Sequence, residues 1–517
     1  MILHLYIVAF IICLVALAKH DIHMFQQNSY RIERYHRWWI GGNILSHRRW
    51  WFIIVLLLSF SVWTQPVAIL LMLLYVYRRY KAKFKTPLGV TDRVKRLFVT
   101  DLLLILAIGI FEYIGLNHKY LPLILSAILL LSNGFMLLAN FVNSPIEMAI
   151  RRWYYNDAKK RLNSHKRLIV IGVTGSYGKT STKNYLYRML SEKYNVLVTP
   201  GNFNTTLGVV RSIREHLRPQ HQIFIVEMGA KQVGDIREIC DLVHPTIGIV
   251  SSVGEAHLET FGSAENIQKT KFELIEALPA DGLGVVNLDS QGIRSFSDYS
   301  AKCKVISYSV EDSAADLQAT NVCYDAAGLS FDLMVDGESH NFKSHLLGGG
   351  NVLNLLAGIA VSHHLKIPTK SMQIAISQLK PVEHRLSMQR AGGLTILDDA
   401  YNSNPDGARM ALAVLRDFTR GEQNRRVVIT PGFVEMGTNQ YEANYNLGRV
   451  MAQSCDYAVV VNKLNREAIC KGLSDGGFSD DNLFVASSLN SARRHLAGVL
   501  KVGDVVLYEN DLPDSFK

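Results

Sequence analysis

The 517-residue chain has little cysteine, only six residues, at 13, 240, 303, 323, 455 and 470. None forms a C-x-x-C pair and the spacing is irregular, which excludes a zinc site of the usual pattern and a disulfide framework and leaves reduced thiols packed as small hydrophobes. Acidic residues are scarce in one stretch. Residues 1–164 hold 7 Asp/Glu against 20 Lys/Arg, a net of +13, and the remaining 35 basic and 38 acidic residues carry −3, giving the +10 of the whole chain. The later two thirds therefore lack the basic patch that grips a phosphate backbone, which argues against nucleic acid as a partner. Apolar content is ample: 48% hydrophobic residues exclude a disordered chain. The length suits about three domains of ~150 residues.

The positive charge of the first third flanks apolar runs, the pattern of membrane loops. Residues 2–18 carry no charge and lack a basic stretch ahead of the apolar core, so they predict an uncleaved anchor and not a signal peptide. Residues 98–117 and 120–142, separated by Asn117-His118-Lys119, predict a transmembrane hairpin. Residues 50–77 are long for one crossing and short for two. Basic residues on both sides favour a hairpin turning at Thr64-Gln65-Pro66 over one tilted helix. Arg151, Arg152, Lys159, Lys160 and Arg161 follow the last span and, on the positive-inside rule, predict a cytoplasmic location for the rest of the chain.

From Arg167 the texture becomes alternating β and α. Leu168–Val173 reads as a buried strand and Thr182–Tyr194 as a helix, with Thr-Gly-Ser-Tyr-Gly-Lys-Thr at 174–180 between them. Gly175 and Gly178 let the backbone bend around an anion, and the helix that follows offers free N–H groups and a positive dipole end to phosphate. In such a loop Lys179 reaches the β/γ-phosphates and Thr180 ligates Mg²⁺. The general phosphate-loop pattern wants a further glycine where Val173 stands. Ile223–Val226 reads as a strand delivering Glu227 to its carboxyl end, where open α/β sheets bind ligands and where a carboxylate suits Mg²⁺; a capping or solvated acid is the alternative. Ile247–Val253 delivers His257 to the same edge. Asn202, Asn204, Thr205 and Thr206 lie in a polar, glycine-flanked loop rich in donors and acceptors.

With these residues in view the chain resembles the Mur ligase family, and within it the branch that adds D-alanyl-D-alanine to a muramyl tripeptide. The resemblance runs from about Leu168 to Val460 on ordered motifs: GVTGSYGKTSTK (172–183), TPGNFNTTLGV (199–209), VEMGA (226–230), AHLETFGSAENIQKTKFE (256–273), GGGNVLNLLAG (348–358), EHRL (383–386) and DDAYNSNP (398–405). The family's own loop, T-G-x-x-G-K-T, accounts for the missing glycine. The resemblance implies an ATP-dependent amide ligase of cell-wall precursor synthesis, activating a carboxylate as an acyl phosphate and joining it to an amine. It implies nucleotide contacts from Gly175, Ser176, Gly178, Lys179, Thr180, Ser181, Asn351, Arg385, Asp399 and Tyr401, with Asn402 beside them. One Mg²⁺ would be held by Thr180 and Glu227 and a second by His257 and Lys271, the latter carbamylated by CO₂; Asn202, Asn204, Thr205 and Thr206 would face substrate. Lys179, His257 and Lys271 form the implied catalytic set. Without the family, Lys271 on an amphipathic helix reads as a solvated lysine.

The fold class implied is α/β: transmembrane helices over 1–164, a central phosphate-loop ATPase domain over 165–380 and a Rossmann-like domain over 381–517. The implied location is the bacterial cytoplasmic membrane, multi-pass, with membrane lipid as a partner and the catalytic domains cytoplasmic. Three departures from the family stand out. Membrane spans occupy the place of the UDP-binding domain, Gly350 stands where relatives carry His, and the chain ends in Val505–Asp514 without the K-G-S-R type segment. These leave open a UDP-linked or lipid-linked muramyl peptide, or another envelope polymer such as poly-γ-glutamate. A phosphate-loop ATPase energising a transporter or scaffold is the reading from another class.

Overall fold

The computed structural model describes residues 1–28, 30–41, 47–81, 84, 86–115, 120–254, 258–325, 327–401, 404–418 and 424–512. They form two compact units, Met1–Trp153 and Tyr154–Leu512.

The first unit is helical. Tyr6, Phe10, Leu14, Phe52, Met72, Leu125 and Leu129 share one apolar cluster, inside which the Tyr6 hydroxyl lies 2.7 Å from Ser59 Oγ, and Ser59 Oγ 2.6 Å from Ser126 Oγ. The multi-pass membrane expectation is overturned here. Among the described residues one helix, Ile2–Gln27, is long and apolar enough to cross a bilayer, together with one pair, Leu121–Leu130 and Ser132–Asn163, bent by 69°. A crossing needs about 20 apolar residues. Residues 50–77 instead divide between helices His47–Leu58 and Gln65–Lys81, of 12 and 17 residues, and the stretch 120–142 breaks at Leu131. The first break has a local cause. Thr64 Oγ1 donates to the carbonyls of Leu58 and Ser61 at 2.6 and 2.9 Å, satisfying the end of one helix. Pro66 falls in the first turn of the next helix, where its missing N–H is not needed. The sidedness argument from basic loops falls with the multi-pass reading, and one apolar helix is weak support for a membrane-lipid partner.

The second unit carries two sheets. In the first, β1 (Ile169–Thr174), β2 (Val196–Val198), β3 (Ile223–Glu227), β4 (Ile247–Val250), β5 (Leu283–Asn287), β6 (Lys304–Ser309), β7 (Leu317–Asp325), β8 (Gly328–Val335) and β9 (Glu338–Ser344) stand in the order β2-β3-β1-β4-β5-β6-β7-β8-β9. Pairing is parallel from β2 to β7 and antiparallel for β7-β8-β9. The sheet is thus mixed where the sequence reading expects a parallel one. Asp336-Gly337, with φ of 51° and 84°, makes the tight turn between β8 and β9, and an Asp-Gly pair between alternating strands is a hairpin signal.

Strand residues alternate between faces, as the pleat requires. Ile169, Ile171, Val173, Ile223 and Ile225 pack with helices Lys179–Leu190 and Gly350–His364, whereas Val170, Phe224 and Val226 pack with helices Thr206–His216, Asp235–Val243 and Ala264–Glu276. Gly172 and Gly248 face each other in register across β1 and β4. A Cβ on Gly172 would lie 2.6 Å from Leu274 Cδ1, and one on Gly248 2.9 Å from Leu274 Cγ. This paired absence of side chains seats Leu274, and with it the helix Ala264–Glu276, close against the sheet; burying a leucine contributes about 2 kcal/mol.

In the second sheet, β10 (Ser387–Ala391), β11 (Leu394–Asp399), β12 (Arg426–Thr430), β13 (Tyr457–Val461), β14 (Leu483–Ala486) and β15 (Val505–Glu509) take the order β10-β11-β15-β12-β13-β14. Only β10 is antiparallel. The closing segment from Val505 is therefore a central strand, hydrogen-bonded between β11 and β12.

Candidate functional site

The register places the site. Val173 of β1 lies beside Glu227 of β3, and Thr174 beside Val250 of β4. The loop after β1, the carboxylate ending β3 and the segment after β4 thus leave the sheet side by side at its carboxyl edge, where parallel sheets bind ligands.

Gly175–Gly178 forms a turn pinned from behind. Ser176 N donates to Ser252 O at 2.9 Å, Tyr177 N to Ser252 Oγ at 2.8 Å, and Gly254 N to Ser176 Oγ at 2.9 Å. Gly178, at φ 79°, caps the helix Lys179–Leu190 in a left-handed conformation that favours glycine. Lys179 Nζ lies over the turn, donating to the carbonyls of Gly175 at 2.6 Å and Ser176 at 3.3 Å. Burial pushes its amine down to about 8; Glu227 opposes that shift and Arg385 reinforces it.

Glu227, 1% exposed, is the hub of this edge. Its Oε1 accepts from Thr180 Oγ1 at 3.2 Å and from Asn204 Nδ2 at 3.1 Å, and Lys183 Nζ lies 3.0 Å from Oε2. Burial alone would raise this carboxyl, but Lys183 and Lys179 outweigh it and hold it below the usual carboxylate range. Lys183, which the sequence reading did not single out, also donates to the carbonyls of Thr199 at 3.0 Å and Gly201 at 2.7 Å. It thereby ties the phosphate-loop helix to the polar loop 199–206. Its position four residues after Lys179, on the same helix face, was the available signal. The Thr180 and Glu227 oxygens are hard donors that converge, as a Mg²⁺ site requires.

Lys271 sits on the helix that Gly172 and Gly248 admit. It is 3% exposed, with its Nζ 5.9 Å from the Phe261 ring centroid. Burial, reinforced by the Lys179 cation, pushes its amine down to about 7. Its solvated-lysine reading is thereby removed. His257 and Asn402 lie outside the described residues, and among those described no three His, Cys, Asp or Glu side chains cluster as a metal site.

Facing the loop is a second set. The lining of the cleft between them includes Ser176, Lys179, Thr180, Ser181, Asn351, Arg385, Asp399 and Met410. Asn351 is engaged by the protein: Nδ2 donates to Leu347 O at 2.8 Å and Oδ1 accepts from Tyr185 at 2.9 Å. The Arg385 guanidinium stacks 4.5 Å from the Tyr401 ring centroid. Arg385 is held between His384 and Leu386, both at positive φ, 59° and 49°. Asp399 accepts from Leu386 N at 3.0 Å. Burial pushes its carboxyl up to about 6; Arg385 and the Leu386 N–H pull against this, and Asp398 adds to it. Asn202 Nδ2 donates to the Tyr401 hydroxyl, joining the polar loop to this second set. Of the other loop residues, Thr205 caps the helix Thr206–His216 by accepting from Gly208 N at 3.3 Å, and Asn204 is committed to Glu227.

Fold and site together define a phosphate-loop α/β protein whose nucleotide cleft is shared by two sheet domains. Residues 173–362 match the Mur ligase middle domain, and residues 384–508 the Mur ligase glutamate ligase domain. UDP-N-acetylmuramoyl-tripeptide–D-alanyl-D-alanine ligase of Mycobacterium bovis is 31% identical over 359 residues, covering 66% of this chain and 70% of the relative. The Escherichia coli protein of the same name is 30% identical, over 54% of this chain and 61% of its own length. MurF from Thermotoga maritima, solved in complex with ADP, superposes with a TM-score of 0.61 at 26% identity, covering 70% of this chain and 80% of that one. MurF from Acinetobacter baumannii gives 0.61 at 25% identity, over 69% and 76%. The chain belongs to the Mur ligase family.

Proposed function

We propose that the chain is an ATP-dependent ligase that joins D-alanyl-D-alanine to a UDP-linked muramyl tripeptide. The observation that carries this reading is the cleft that Lys179 and Thr180 line together with Arg385 and Asp399 of the second domain, with Glu227 beside Thr180 and Tyr401 beside Arg385. The names of the relatives supply the substrate class.

In the first step an oxygen of the substrate carboxylate bonds to the γ-phosphorus while the bond to ADP breaks, giving an acyl phosphate. In the second the amine nitrogen bonds to the acyl carbon, phosphate departs with its bonding electrons and the amine loses a proton. The loop N–H groups and Lys179 stabilise charge on the phosphoryl oxygens. Mg²⁺ at Thr180 and Glu227 would neutralise part of that charge. Asn202, Asn204, Thr205 and Thr206 of the polar loop are the residues proposed to face substrate.

Lys271 is the proposed carbamate: a buried lysine held near neutrality presents a free amine, whose nitrogen bonds to CO₂ with loss of a proton. The resulting anion would offset Lys179 and, with His257, suit a second Mg²⁺. Mass spectrometry of products after incubation with ATP, UDP-muramyl tripeptide and D-alanyl-D-alanine tests the function. The expected products are the UDP-muramyl pentapeptide, ADP and phosphate in equal amounts; steady ATP hydrolysis without an amide product would refute it.

A further inference from the structure

The lining of the cleft is of two kinds. One is the phosphate loop with Lys179; the other is an apolar wall of Leu347, Met410, Ala411 and Val414. Met410, Ala411 and Val414 lie on one face of the helix Pro405–Phe418, at helical spacing. Against this face packs the start of the helix Gly350–His364, preceded by Gly348 and Gly349. A Cβ on Gly350 would lie 2.5 Å from Met410 Sδ, and one on Gly348 2.6 Å from Val414 Cγ2. Both distances are far inside contact, so side chains from the second domain occupy the volume that residues 348 and 350 leave free. A nucleotide likewise has one charged end and one flat, apolar end.

We propose that Met410 is a base-contacting, specificity-determining residue of the nucleotide site, and that position 350 is glycine because the Met410 thioether fills the space a side chain there would need. A thioether is polarisable and packs well against aromatic rings. With the triphosphate at the loop, the base falls at the Leu347–Met410–Val414 end, and Gly350 sets how far Met410 reaches across it. The inference rests on the ATP reading above.

Calorimetry on the full chain with Mg²⁺ separates the two, using ATP and inorganic tripolyphosphate as probes. If the unmodified chain binds neither, the proposed function itself fails. If it binds both, Gly350→Ala, whose new Cβ displaces Met410, should weaken ATP about fivefold and leave tripolyphosphate unchanged, the loss of about one sulfur–aromatic contact. Met410→Ala should do the same. Because both changes act through one side chain, the double variant should also lose about fivefold, where independent effects would multiply to about 25-fold. Retained tripolyphosphate binding shows that the variants fold. Unchanged ATP affinity, equal losses for both probes, or a multiplicative double variant would each overturn the proposal.

Discussion

Lys183 and Lys271 are buried to almost the same extent behind one sheet edge, 2% and 3% exposed, yet their surroundings differ in kind. Lys183 has a carboxylate at 3.0 Å and two backbone carbonyls for its protons. Lys271 has the Phe261 ring at 5.9 Å, and burial and the Lys179 cation outweigh the Asp235 and Glu273 carboxylates and drive its amine down to about 7. Burial alone therefore does not decide what a lysine does. A partnered one becomes a structural tie, holding Glu227 and the loop 199–206 in place. Lys271, with no ion pair found among the described residues, is held close to its neutral, nucleophilic form, the state that reacts with CO₂.

The larger test of this contrast is to remove the tie. Lys183→Met leaves Glu227 buried with one cation fewer, and breaking a buried pair from one side costs about 3–5 kcal/mol. Denaturant unfolding should show that loss, and Lys183→Met combined with Glu227→Gln should cost less than the sum of the two single changes. A loss below about 1 kcal/mol, the range of an exposed pair, would mean that Lys183 is no tie.

Lys271→Met should act in the opposite direction. The folded-state value near 7 lies below the ordinary 10.5, so between them the unfolded chain binds more protons and stability rises with pH, while below about 7 the folded state carries the full penalty. In CO₂-free buffer Lys271→Met should therefore stabilise the protein near neutrality, on the order of 2 kcal/mol. It should also abolish the rise in stability towards alkaline pH. Equal pH profiles for the two proteins would contradict the lowered amine of Lys271, and ligase activity should be lost in the variant that gains stability.

The sequence shows much of this edge, for physical reasons. Gly175 and Gly178 are needed by the turn itself, and Glu227 follows a run of β-branched residues that can only be a buried strand, so both are legible from local pattern. Lys271 is legible only through its resemblance-based register, because its burial depends on Gly172 and Gly248 in distant strands. Lys183 escapes notice for the same reason: on its helix it reads as a solvated charge, and only the placement of β3 supplies Glu227. The helical unit shows the converse error. Apolar runs at 50–77 and 120–142 carry the composition of membrane spans, but hydropathy does not report where a helix ends: the first divides after Leu58 into helices of 12 and 17 residues, and the second bends by 69° at Leu131.

In the proposed reaction this edge activates a substrate carboxylate by phosphorylating it. This step is tested most directly by supplying a muramyl tripeptide with heavy oxygen in its terminal carboxylate, together with ATP and D-alanyl-D-alanine, and analysing the phosphate released. Transfer of one heavy oxygen into each phosphate, in step with amide formation, is the predicted result. Amide formation with unlabelled phosphate would contradict it.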